Sequence, residues 1–148
     1  MAIVNDGTIQ PLDKRVDANG KVWIKVKFVI GATAKTGTII GPGQTGYVNK
    51  AIYAVSSTTS ALMYVGFPDA TYASNTVGWA QIGGPISSGI LTTSTTATAG
   101  HFAYWLNATL VTKGSSVRTK GVFGVFTSAD TSKKVHDLVL FPDLIWGE

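Results

Sequence analysis

Between Lys21 and Ile30 the chain reads KVWIKVKFVI. Val22, Ile24, Val26, Phe28 and Ile30 fall on one side of a two-residue period, and Lys21, Trp23, Lys25 and Lys27 on the other. That is the signature of a half-buried strand with one apolar face. Strand-like runs recur at Lys50–Val55, Leu62–Phe67, Val77–Ile82, His101–Thr112, Gly121–Thr127 and Val135–Trp146, the last interrupted by Pro142. Val, Ile, Thr and aromatic residues dominate these runs, which suits a pleated surface. No window carries a 3.6-residue apolar stripe over three turns. Breakers rich in Gly, Pro and Ser separate the runs: GPGQTG, FPDATYASN, GGPISSG, TATAGH and KGSS. The expectation is an all-β chain of roughly six to eight strands, a small β-sandwich or barrel. Residues 87–100 read as an extended loop, residues 1–20 as an N-terminal arm, and residues 21–148 as a single β domain.

Composition narrows this picture. The 148 residues are 45% hydrophobic and only 14% charged, enough for a core and too apolar for a disordered chain. With no cysteine there is no disulfide framework and no thiolate metal site. No apolar run approaches the roughly 20 residues of a membrane-spanning helix, so a membrane partner is not expected. MAIVNDGTIQ has neither a basic segment nor an apolar core, so no secretory leader is expected. The charges are unevenly placed. Residues 1–50 hold seven Lys/Arg against three acids, whereas residues 51–112 hold no Lys or Arg and a single acid, Asp69. That middle stretch is rich in Ser, Thr and aromatics, a composition shared by interface cores and by ordinary Ser/Thr-rich β domains.

Reactive constellations are scarce. His136 and Asp137 are adjacent, so on a strand they point to opposite faces. The G-x-S-x-G elbow that displays a hydrolase serine is missing, and His101, His136 and the scattered acids have no metal-ligand spacing. No catalytic, metal or cofactor-binding residue is assigned. Gly41, Gly43 and Gly46 match G-x-G-x-x-G, but a strand-like run follows instead of a helix, and Tyr47 stands where a phosphate loop needs Lys. The segment reads as a β-turn set by Pro42 and its glycines. Lys21, Trp23, Lys25 and Lys27 form a basic face with one aromatic platform. Such a mixture serves single-stranded nucleic-acid binders, and it also keeps a sheet edge soluble.

The run Val77-Gly78-Trp79-Ala80-Gln81-Ile82-Gly83-Gly84-Pro85 resembles a strand of the small capsid decoration (cement) proteins of tailed bacteriophages. The Thr/Ala-rich segment Thr92–Gly100 and the pair Val122–Asp130 and Val135–Phe141 extend the likeness over roughly residues 64–141. Phe126 and the aromatic stretch 101–111 depart from that pattern, and the basic first third has no counterpart in it. The resemblance implies a β-rich, non-enzymatic virion structural protein without cofactor, often trimeric. Such proteins bind the major capsid protein on the outer capsid surface and are assembled in the host cytoplasm. Trp79, Tyr104 and Trp105 would then be candidate anchors at the partner interface, or alternatively core residues. A single-stranded nucleic-acid-binding barrel and a carbohydrate- or receptor-binding capsid appendage are the alternatives.

Overall fold

The structure is a computed structural model that describes residues 14–28, 31–41, 50–52, 62–104, 122–141 and 145–146. These residues are all-β, with no helix among them. The strands are β1 (Lys14–Val16), β2 (Val22–Phe28), β3 (Thr38–Gly41), β4 (Lys50–Ile52) and β5 (Leu62–Pro68). They continue with β6 (Thr76–Ala97), β7 (Phe102–Tyr104), β8 (Val122–Phe126), β9 (Asp130–Leu140) and β10 (Ile145–Trp146). Nine lie along one path, β1-β2-β4-β3-β5-β6-β9-β8-β7, and β10 pairs with β5. All the ladders are antiparallel except β2–β4. An additional β2–β6 ladder turns the path back on itself at one end, while β9, β8 and β7 extend from the second half of β6. The path ends β1 and β7 do not pair with each other, so the sheet as a whole is not closed into a barrel.

β2 obeys its two-residue period: Ile24, Val26 and Phe28 are buried, and Trp23, Lys25 and Lys27 are half-buried on the opposite side. Ile30 lies outside the described residues. Ile24, Val26 and Phe28 join Ile40, Ala80 and Ile82 in one apolar cluster. A second and larger cluster gathers Phe67, Leu91, Phe123, Phe126, Leu138 and Leu140 with their neighbours. β5 lies between the two. Val65 and Phe67 point into the larger cluster. A Cβ on Gly66 would fall 2.3 Å from Ile40 Cδ1 and 3.1 Å from Ala80 Cβ, in the smaller cluster. A strand buried on both faces reads as a continuous apolar run, and LMYVGF is one.

The segment between Val77 and Gly100 differs from its sequence reading. Instead of a short strand, breakers and a loop over 87–100, one strand of 22 residues runs to Ala97. The breaker residues act inside it as irregularities. Gly84 has φ +81°, and Ser88 has φ 57° where the β9 register shifts between Ile86 and Gly89. Bulges bend a strand without ending it. The first part of β6 therefore pairs with β2 (Gly83↔Val22 to Thr76↔Phe28), and the part from Gly84 onward pairs with β9. The chain turns at Thr98–His101 and enters β7, which is described only as far as Tyr104.

Candidate functional site: a cation–aromatic face

The β1–β2 hairpin builds the most distinctive surface of the described chain. Asp17 Oδ1 accepts hydrogen bonds from the backbone N–H of Asn19 (2.9 Å) and Lys21 (3.0 Å), closing the turn with Gly20 at φ +78°. An Asx-type turn followed by a glycine in the left-handed region is standard hairpin chemistry. The hairpin pairs Arg15 with Trp23 and places both on the side of β2 opposite its buried residues. On the other edge of β2, Trp23 faces Gln81 and Lys25 faces Trp79. Trp23 and Trp79 are thus diagonal neighbours on one face.

Arg15 reaches across β2. Its guanidinium carbon lies 4.4 Å from the Trp79 ring centroid and 5.8 Å from that of Trp23. A guanidinium over an indole at an exposed site contributes about 0.5–1 kcal/mol. Trp23 donates its indole N–H to Asp17 Oδ2 at 3.0 Å. That bond is the largest cause holding the Asp17 carboxyl below the ordinary 3.8, with the backbone N–H groups of Lys21 and Asn19 adding to it. Trp79 is steadied through its backbone, since its N–H donates to the Tyr72 hydroxyl at 3.3 Å. Tyr72 donates in turn to Asp69 and stacks on Phe28 at 4.5 Å between centroids. Burial pushes the Tyr72 phenol above the ordinary 10.0, and its hydrogen bond to Asp69 pushes the same way.

Of the residues singled out from sequence, Trp23, Lys25, Lys27 and Trp79 share this face, with Lys21 at its margin. Tyr104 is half-buried on β7, in the part of the sheet built on β9, and Trp105 lies outside the described residues. Arg15 escapes the sequence reading because it falls in the presumed arm. The Asn19-Gly20 dipeptide between two short β-like runs is the hairpin signal that would have found it.

The two histidines stay apart from this face. His136 is buried, with Nε2 2.8 Å from the Lys133 carbonyl and its ring edge-on to Phe126, while Asp137 on the next position is exposed. Asp137 accepts the Ser88 N–H at 2.9 Å, tying β9 to the bulge in β6. His136 Nδ1 comes no closer to Asp130 Oδ2 than 3.8 Å. Among the described residues no group of three or more His, Cys, Asp or Glu could hold a metal ion. Gly41 ends β3, and the rest of the Gly41–Gly46 motif lies outside the described residues. The strands on either side of it, β3 and β4, pair antiparallel.

Comparison with protein-family models, with curated proteins and with solved structures returned no match.

Proposed function

We propose that this chain is a virion structural protein, a decoration protein that binds the outer surface of a tailed-phage capsid and clamps neighbouring capsid subunits, as a trimer. The sequence resemblance motivates the reading, and one structural observation supports it. Arg15, Trp23, Lys25, Lys27 and Trp79 share one face of a sheet, on which the Arg15 guanidinium lies over Trp79 and the Trp23 indole is held by Asp17. Docking by clamping needs area, anchors and complementary charge rather than a reactive group. A preorganised aromatic and cationic face meets an acidic protein surface at low entropic cost. Binding through it weakens as salt rises, because these charges lie near solvent.

The test is the ratio of this chain to the major capsid protein in purified virions, read by quantitative mass spectrometry. A copy number comparable to that of the lattice subunits is expected. Lys25→Glu with Lys27→Glu should lower capsid occupancy and flatten its salt dependence. Absence from the virion overturns the reading. The two diagonal tryptophans beside Lys25 also suit a single-stranded nucleic acid, although Arg15 already covers the Trp79 ring. Oligonucleotide binding abolished by the same double substitution would put that second reading first.

A further inference from the structure

The cation–aromatic face holds three cations and no anion that pairs with them. Among the described residues, Arg15, Lys25 and Lys27 take part in no ion pair, and no group accepts a hydrogen bond from the Arg15 guanidinium. The two acids at the margin are already engaged. Asp17 takes the Trp23 indole and the turn N–H groups, and Asp69 takes the Tyr72 hydroxyl.

The cations are gathered rather than spread. Trp79 pairs directly with Lys25, and residues so opposed have Cβ atoms about 4.5–5.5 Å apart. The guanidinium over Trp79 therefore lies beside the root of the Lys25 side chain, and Lys27 follows two positions along the same face. Like charges brought together repel unless something negative sits among them. Lysine side chains can swing apart on their flexible stems. Arg15 is instead seated on Trp79 at 4.4 Å, with Trp23 at 5.8 Å.

The chemistry of that seat selects the ligand. A guanidinium carries five N–H donors in a rigid fork and no acceptor. Its fork matches the two oxygens of a carboxylate, and an aromatic support fixes the group without using those donors. A phosphodiester offers a similar pair of oxygens, but single-stranded nucleic acid also draws on bases stacked against open aromatic rings. Here Arg15 covers the Trp79 ring, and Asp17 stands at the Trp23 indole, where its charge repels a run of phosphates. A protein acid fits this arrangement better.

We propose that Arg15 is the specificity-determining residue of the docking face, taking a carboxylate of an acidic segment of the partner protein in a bidentate pair beside Lys25. This role rests on the reading of the face as a docking surface. The test uses the full chain alone, so its failure is distinct from absence from the virion. A hexaglutamate peptide and a thymidine hexanucleotide are titrated separately, at low salt, into ¹⁵N-labelled protein. The expected result is a saturable shift of the Arg15 side-chain Nε–H signal with the peptide, weakening as salt rises. Arg15→Lys keeps the charge but loses the fork, and should weaken peptide binding about fivefold. Trp79→Leu removes the seat at unchanged charge and should weaken it as well. The Trp23 indole N–H signal reports whether the hairpin is folded in each variant, and a variant that loses it leaves the other to decide. No saturable shift at Arg15 overturns the assignment. So does affinity unchanged in a folded variant, or tighter binding of the hexanucleotide than of the peptide. Peptide binding that follows Arg15 in a chain absent from the virion would keep the role of Arg15 and remove only the capsid as its partner.

Discussion

At the scale of single residues, Asp17 joins the turn to the candidate face, closing the hairpin with Oδ1 and holding the Trp23 indole with Oδ2. Its carboxyl is held below the ordinary 3.8, chiefly by that indole. A depressed carboxylate contributes stability that is present above its unfolded value and is lost as pH falls through the folded one. The hairpin should therefore keep its geometry down to pH 3.8 and loosen only below it. In an NMR titration of the carboxyl resonance, Trp23→Phe should return Asp17 toward 3.8, because phenylalanine has no N–H to donate. A midpoint unmoved by the substitution would remove the bond from the account. The alternation of Lys21–Ile30 made Trp23, Lys25 and Lys27 legible as one face, because period two is a local property of the backbone. That Trp79 joins them, and that Arg15 lies over it, depends on cross-strand register. Register between strands more than fifty residues apart is not written in either strand alone.

At the scale of elements, β6 changes partner within one strand, and Gly84 sits where it does so. A Cβ there would lie 2.6 Å from the Gly20 carbonyl oxygen and 2.9 Å from Lys21 Cα, both backbone atoms, at a φ of +81°. Gly84→Ala combines left-handed strain with a clash that no side-chain rotation relieves, and should cost about 2–4 kcal/mol. The denaturant midpoint measures this, and because the clash falls on the hairpin, the Trp23 indole signal should move with it. An unchanged midpoint would mean that the hairpin yields freely. The glycines and Pro85 were legible as interruptions, but sequence does not tell an interruption that ends a strand from one that bends it. The answer lies in the β9 ladder, whose Leu138, Val139 and Leu140 pair with Ile86, Pro85 and Gly84.

At the scale of the molecule, two apolar clusters meet along β5 and β6: β6 supplies side chains to both, and β5 gives Val65 and Phe67 to the larger while its Gly66 lies against the smaller. Neither cluster can lose those strands without exposing the other. Unfolding should accordingly be one transition. Leu138→Ala, in the larger cluster, should cost about 2–5 kcal/mol and lower the midpoint of the Ile24 methyl signal, in the smaller one, by the same amount as its own neighbours. Separate midpoints would show that the clusters melt independently. The all-β class was legible from periodicity and breakers, whereas the division into two cores was not. That division depends on β5 being buried on both faces, and a short apolar run looks the same whether one side or two are covered. The continuity of β6 also has a mechanical meaning. Its 22 residues have a contour of about 70 Å and are stitched to β2 and β5 near one end and to β9 along the other. Tension applied along that strand loads all three ladders in shear, so their hydrogen bonds must rupture together. A pull across the strand would instead peel them one at a time. Resistance to force in this molecule is thus a matter of direction, greatest along β6 and least at right angles to it.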